Sequence, residues 1–314
     1  MILNPQVTIA MFDPHLLGGL PLQASVSKKL FSVLVNGLIF GSIFALTAVG
    51  LTLVFGILDV PNFAQGEFAS LAGYGTIVLV GATGIGLVPS IVIAVAVTFV
   101  AGMAMERVVI APLYGDDDFL LKTFFISFGV LIGFEQLLRQ WFGSDFYQIH
   151  APDFGLWHVF GTPLTGMHFV VSLAAIGLIY GLYLFTHRTR LGLAMRAVSD
   201  DREGALVSGI DIGRVNMLTF GIGALLTGFT GVLYAIMFPI SPNTGLELTS
   251  FAFVIVVIGG VGSFSGTVIA SLLIGLVDNF TAVFVGSRYR LFVIFLILLL
   301  VLVFNPTGLR GESV

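Results

Sequence analysis

HRTRLGLAMRAVSDDREGALVSGIDIGR, residues 187–214, is the stretch from which every other segment takes its orientation. It holds Arg188, Arg190, Arg196, Arg202 and Arg214, five of the 13 Lys and Arg residues in the chain, together with Asp200, Asp201, Glu203 and Asp211. On both sides the sequence returns to long apolar runs. A basic island between two membrane spans belongs on the cytoplasmic side, where short loops carry the excess of Lys and Arg. Leu191, Leu193, Ala194, Ala197 and Val198, then Ala205, Leu206 and Ile210, recur at helical spacing and predict a short amphipathic helix or helix pair. Gly204, Ala205 and Ser208 give that helix a small-residue face suited to a close contact. The island therefore reads as a surface gripped by a soluble partner. The competing reading is a solvated charged loop, the usual fate of a charge run.

The composition supports the frame around the island. A mean hydropathy of +1.07, with 57% hydrophobic and 10% charged residues, excludes an ordinary soluble domain, where about a quarter of residues are charged. The 39 Gly and 30 Phe residues suit a helical membrane protein, in which small residues let helices approach closely. A transmembrane β-barrel would alternate in short segments instead of showing long continuous runs. A net charge of −4 gives no reason to expect nucleic acid. The absence of Cys excludes disulfides, thiol catalysis and thiolate-bound metal. Residues 1–30 lack a basic first region, are interrupted by Asp13 and Pro14, and end in Lys28–Lys29, so they read as an N-terminal extension at the membrane interface and not as a cleaved signal. Residues 31–314 form the transmembrane domain.

A spanning helix needs about 20 mostly apolar residues. Eight stretches qualify in whole or part: Phe31 to Leu58, Phe68 to Val80, Leu87 to Met105, Phe119 to Trp141, His168 to Thr186, Val215 to Ile240, Leu248 to Val277 and Leu291 to Phe304. The fold class is all-α, a polytopic helical membrane protein with about eight spans and broken helices. With the island inside, Phe142 to Met167 and Ser241 to Glu247 lie outside, and neither holds a Lys or Arg. Counting forward puts Asp278 to Arg290 inside. Two features conflict with eight single spans: Lys28–Lys29 and the tail with Arg310 both fall outside. A re-entrant hairpin within Leu248 to Val277 would return the tail to the inside.

Three further patterns bear on function. Asn62, Gln65, Glu67 and Ser70 sit between apolar runs, where polar groups facing lipid are expensive; they line a substrate path, or they form a short cytoplasmic loop whose Glu67 caps the next helix. Gly259, Gly260, Gly262 and Gly266 in GGVGSFSG mark a helix break. The string lacks the Lys of a phosphate-binding loop, and G-x-x-x-x-G-K-[ST] occurs nowhere in the chain. Third, Val60 to Gly84 and Ser241 to Gly262 share an order of Pro-Asn, Gly, Glu, Ser and an apolar run ending in glycines. On the map above they lie on opposite faces, as inverted-topology repeats would, although one gapped match in so biased a composition also arises by chance. No catalytic constellation is present. The five His residues are scattered, and His150, Asp153 and His158 read as a polar outer loop before a metal site. A stand-alone ion-driven transporter would need buried acids or His as a relay, and only Glu67, Glu135 and Asp278 approach membrane depth.

NGLIFGSIFALTAVGLTLVFGILDVPNFAQGEF (residues 36–68) resembles the N-terminal signature of branched-chain amino-acid ABC transporter permeases of the LivH type. The resemblance continues through RAVSDDREGALVSGIDIGRVNMLTFGIGALLTGFTGVLY, VIVVIGGVGSFSGTVIASLLIGLVDNF and NPTGLRG, in order, from Asn36 to Gly311. It implies a permease subunit in the bacterial cytoplasmic (inner) membrane, surrounded by membrane lipid. It also implies pairing with a second homologous permease, two cytoplasmic ATPase subunits that bind the ATP, and a periplasmic or extracellular substrate-binding protein; this chain would carry no cofactor and no catalytic residue. Residues 187–214 then look like the coupling loop, with Arg196, Asp200, Glu203, Ala205 and Gly209 as ATPase-coupling residues and Gly204 standing where the family motif has Ala. Gln65 stands where His is common. The wider group includes carriers of urea and short amides, the alternative substrates to branched-chain or other hydrophobic amino acids.

Overall fold

The computed structural model describes residues 7–9, 26–152, 154–159, 162–305 and 307–310. Most of the expected extension over residues 1–30 lies outside that description. A short strand, β1 (Val7–Ile9), and helix α1 (Val26–Leu58) are described, so α1 starts before residue 31. At 33 residues α1 is about 50 Å long, well beyond the ~30 Å of a hydrocarbon core. The helix stops because Asp59 turns left-handed at φ 55° and Pro61 withdraws a backbone donor. After a non-helical run comes α2 (Glu67–Val78), only 12 residues long, and a π turn, Leu79–Thr83. Then follow α3 (Leu87–Met105), a π turn (Glu106–Ile110), a 3₁₀ turn (Ala111–Leu113) and α4 (Phe119–Phe142). Strand β2 (Tyr147–Ile149) pairs antiparallel with β1, and β3 (Leu156–Val159) with β4 (Thr162–Thr165).

The second half opens with α5 (Gly166–Arg188) and the island helices α6 (Arg190–Asp200) and α7 (Arg202–Val207). It continues with α8 (Ile212–Met237), α9 (Thr244–Gly259) and α10 (Phe264–Thr281). A π turn (Ala282–Gly286), a 3₁₀ turn (Ser287–Tyr289) and α11 (Arg290–Phe304) end it. Among the described residues, six helical segments are long and apolar enough to cross a bilayer, and two shorter apolar helices, Glu67–Thr83 and Thr244–Gly259, accompany them. The protein is a multi-pass helical membrane protein.

Contacts between helices fix their directions. Ser199 on α6 donates to the Gly56 carbonyl at 2.7 Å, so α1 ends on the island side and begins on the far side. Gly56 meets Gly262, Thr52 and Thr267 share a 2.7 Å hydrogen bond, and Gly41 and Gly37 press on Leu272 and Leu276. Helix α10 therefore runs back along α1, away from the island. Ile240 bridges to Tyr147 and Asn243 bonds Arg139 at the far end of α4, so α9 descends from the far side. Leu248 to Val277 is thus two antiparallel arms, the hairpin that the sequence left open beside a single span. The 41-residue apolar segment Phe264–Phe304 would reach about 60 Å if straight; it folds back at Gly286, φ 124°. Leu309 then donates to Ile258 (2.8 Å) and Arg310 to Gly259 (3.2 Å), which places the tail on the island side.

The sequence-based map is corrected at residues 278–290, and of the alternatives it left open for Leu248 to Val277 the hairpin is the one found. Residues 278–290 lie on the far side, opposite the island, and the tail lies with the island. The basic count misled because Arg290 is not a free charge: it clamps Asp278 through two hydrogen bonds of 2.7 and 2.5 Å. The island side keeps Arg107, Lys122, the five island arginines and Arg310, so the positive-inside assignment stands.

The echo between the halves has a structural counterpart. Residues 60–84 and 241–262 run in opposite directions, and Gly66 and Gly245 touch where they cross. Helix α3 and its π and 3₁₀ turns lead into α4, as α10 and its π and 3₁₀ turns lead into α11. Helix α1 packs along α10, and α8 packs along α3. The interior is held by close backbone approach and by aromatic stacking such as Phe44 on Phe251, 4.5 Å apart, because in lipid the association of helices rests on packing more than on water exclusion.

Candidate functional site

Residues 59–66 enter the membrane interior as irregular backbone, which is stable there only if its polar groups are satisfied by protein. They are. Asn62 Nδ2 donates to Gln65 Oε1 (2.9 Å), and Asn62 Oδ1 accepts from the Ala64 amide (3.1 Å). Gln65 Nε2 donates to the Gly223 carbonyl (3.1 Å) and to Thr227 Oγ1 (2.7 Å), halfway along α8. The Gly66 amide donates to Thr249 Oγ1 (2.8 Å), and Ser127 on α4 joins the Phe63 amide to the Pro61 carbonyl. Phe63 stacks on Phe253 at 4.1 Å. Neither sequence reading of Asn62 and Gln65 describes this arrangement. Both side chains are fully buried and act as struts that hold the break against α8. Removing the Gln65 amide leaves the Asn62 donor, the Gly223 carbonyl and Thr227 short of a partner. Gln65→Leu is expected to lower stability by about 2 kcal/mol, read as a fall in the melting temperature of the detergent-solubilised chain, whereas Gln65→His keeps a ring donor and is tolerated.

Glu67 and Ser70 differ. They lie one turn apart on α2, are buried, and have no hydrogen-bond partner outside each other among the described residues. The Glu67 carboxylate rests on Gly245, where an added Cβ would sit 2.3 Å from Oε1. The Tyr74 hydroxyl, one turn further along α2, is also buried without a partner. Glu67, Ser70 and Tyr74 form one polar row at i, i+3 and i+7. Tyr74 was missed from sequence; that spacing was the signal that could have found it. A buried carboxyl group and two buried hydroxyls without outside partners among the described residues are costly to keep and need a reason.

At the glycine break, α9 ends at Gly259 and α10 begins at Phe264, with the Ser263 side chain capping the Gly266 amide (3.2 Å). Gly260 and Gly262 adopt φ 98° and 79°, open to glycine at no steric cost. Gly259 and Gly266 face each other so closely that a Cβ on Gly266 would lie 2.0 Å from the Gly259 carbonyl oxygen.

The island is a capped helix pair. Thr189 caps α6 through the Gly192 amide, Asp201 caps α7 through Glu203 and Gly204, and Asp211 caps α8 through Arg214. Its inner face is a small core of Met195, Val198, Ala205 and Val215. Ala205 is thus turned inward, whereas Gly204 is half-buried and Ser208 exposed, so the three do not make one outer face. Arg196, Asp200, Glu203 and Gly209 are exposed, and Gly209 turns the chain at φ 80°. Leu193 and Leu206, read from sequence as part of the apolar stripe, point outward instead, and so does Val207, which the sequence reading passed over and which is 88% exposed.

Beyond the apolar packing on α1, α5 and α8, two polar contacts tie the pair to the spans. One is Ser199 on Gly56. The other is Arg202, whose guanidinium lies 5.1 Å above the Tyr114 ring, in the α3–α4 connection, with Phe119 stacked on the same ring at 5.2 Å. Burial pushes the Tyr114 phenol above its ordinary range, so it stays a donor. Beneath it Glu106 and Asn216 are buried, and Glu106 Oε1, the Tyr114 hydroxyl and the Asn216 amide have no hydrogen-bond partner outside the trio among the described residues. A cleft of ≈ 560 Å³ lined by Phe55, Asp59, Tyr114, Phe119 and Arg202 opens at this junction. No cluster of three metal-ligating side chains occurs among the described residues; Asp153 and the His158 side chain lie outside them.

Residues 33–303 match the family described as branched-chain amino acid transport system / permease component. The chain is 33% identical over 291 residues to the high-affinity branched-chain amino acid transport system permease protein BraD of Pseudomonas aeruginosa, covering 89% of this chain and 95% of that one. It is 31% identical to the corresponding LivH protein of Escherichia coli, over 88% and 94% of the two chains. The fold is similar to that in the structure of PsaBC from Streptococcus pneumoniae in complex with Fab, with a TM-score of 0.50 at 10% identity over 87% of this chain and 91% of that one. The chain belongs to the permease-component family of branched-chain amino acid transport systems.

Proposed function

We propose that this chain is the membrane-spanning permease subunit of an ATP-driven importer of branched-chain or other apolar amino acids in the bacterial cytoplasmic membrane. It works with a second homologous permease, two cytoplasmic ATPase subunits that carry the ATP, and an external substrate-binding protein. The observation that carries this reading is the island: two capped helices with a packed inner face, an apolar outer face, and ties to α1 and to the α3–α4 connection. Leu206 and Val207 are the knob that enters an ATPase groove, and Arg196, Asp200 and Glu203 surround it with charge. When the ATPases close, α6 and α7 move together, pulling α1 through Ser199 and the α3–α4 connection through Arg202. Rigid-body rocking of one half against the other then alternates access.

Glu67, Ser70 and Tyr74 are the polar groups offered to the substrate near the midplane, with Asn62 and Gln65 holding the break in shape. An unpaired carboxylate suits the ammonium of a zwitterion, and a row of weak single contacts lets it leave. Since Gln65 is committed to α8, its departure from the family His gives no support to urea or short amides as substrate.

In the reconstituted complex, Val207→Asp and Glu203→Arg are expected to reduce ATPase co-purification and to uncouple hydrolysis from uptake by tenfold or more (roughly the loss of one buried interface anchor). Unchanged coupling in both variants would remove the docking assignment. Glu67→Gln should lower uptake while leaving assembly and ATPase recruitment intact.

A further inference from the structure

We infer that the far-side end of α1 and the α10–α11 turn bind one anionic phospholipid, with an acyl chain in a groove between the helices and the phosphate among Lys28, Lys29 and Arg288. The groove measures ≈ 490 Å³ and is lined by Leu30, Val33 and Leu34 of α1, Leu276 and Phe280 of α10, and Val285 of the π turn. Its one hydroxyl, that of Thr281, already donates to the Val277 carbonyl at 2.8 Å. Nothing in the groove offers a hydrogen bond, so it selects hydrocarbon.

The rim is the opposite in character. Lys28 and Lys29 precede Leu30 directly, and Arg288 follows Val285 by three residues. Four ion pairs occur among the described residues, and none includes these three cations. Of the far-side basic residues, Arg139 and Arg290 are neutralised by Glu135 and Asp278. What remains is three cations without an acidic partner among the described residues, Lys28, Lys29 and Arg288 (the last 5.2 Å from the Tyr289 ring), on the side that the positive-inside rule leaves poor in Lys and Arg. Each stands within three residues of a groove-lining position, Leu30 on α1 or Val285 in the π turn. A lipid phosphate supplies the missing negative charge, and its tail fills the groove. A helix of another subunit would fill the groove but leave the cations unmatched.

The test uses the purified full chain exposed to equimolar dioleoyl-phosphatidylglycerol and dioleoyl-phosphatidylcholine, with bound lipid counted by native mass spectrometry. Phosphatidylglycerol is expected to be retained preferentially, and each of Lys28→Gln, Lys29→Gln and Arg288→Gln to lower that preference about fivefold. The triple variant should bind both lipids alike, and Val33→Trp, which fills the groove, should lower both. Equal retention of the two lipids by the unaltered chain, or a preference that survives in the triple variant, overturns the proposal. A photoreactive residue at Leu34, which is exposed, decides the occupant in the assembled transporter: cross-links to lipid support the proposal. Cross-links to another subunit or to residues 1–25 of this chain overturn it.

Discussion

Gly231→Ala is expected to deprive the chain of a stable fold. A Cβ on Gly231 would lie 1.9 Å from the Ala69 carbonyl oxygen and 2.5 Å from Ala69 Cα. Both are backbone atoms, so no side-chain rotation relieves the overlap. Helix α2 would have to retreat from α8 by more than an ångström, and the Gln65 hydrogen bonds to Gly223 and Thr227 would stretch with it. A loss of about 3 kcal/mol or more follows from overpacking against a backbone that cannot yield. Gly177→Ala is the control: nothing lies within 4 Å of a Cβ there, and the gain of about 1 kcal/mol in helix propensity should hold or slightly raise stability. Thermal unfolding followed by size-exclusion chromatography in mild detergent reads both. Equal melting temperatures for the two variants would contradict the packing of α2 on α8.

The second large effect belongs to the pair Asp278 and Arg290. Asp278 is 1% exposed and is gripped by both the Nε and Nη2 groups of Arg290, which also lies 5.9 Å above the Phe40 ring. Arg290→Leu strands a carboxylate among α1, α10 and α11, at an expected cost of about 3–5 kcal/mol. Combining Asp278→Asn with Arg290→Gln removes both charges and keeps hydrogen-bonding groups, so most of the loss should be recovered. If the single variant proved no less stable than the double, the pair would not be what closes the α10–α11 turn.

Much of the architecture was legible because its signals are local. The spacing of Leu191 to Ile210 specifies the island helices within a few residues, although the caps at Thr189, Asp201 and Asp211 went unread. Asp59, Pro61 and the glycines at 259–266 announce breaks through backbone chemistry alone. What sequence could not supply was pairing at long range. Arg290 looks like an inside marker until Asp278, 12 residues earlier, is seen to neutralise it across a reversal. That reversal rests on Gly286, one glycine among 39. Gln65 looked like part of a path because its partners, Gly223 and Thr227, lie some 160 residues away. Ala205 looked like an outer face because a short amphipathic helix does not say which of its two neat faces meets the protein. Tyr74 went unnoticed because an aromatic residue in an apolar helix reads as core, and its ring does pack against Phe142, tilted at 40°, while its hydroxyl has no partner among the described residues.

The companionship of α1 and α10 has a consequence for biogenesis. Gly37 and Gly41 close onto Leu276, Leu272 and Ser271, residues translated more than two hundred codons later. At ~5–20 residues per second the ribosome needs roughly 10–50 s to deliver them. Throughout that interval the first helix stands in the bilayer with its glycine seam unfilled, open to wrong neighbours. The α1–α10 seam can therefore close only after nearly the whole chain has been made, so it belongs to the last stage of assembly.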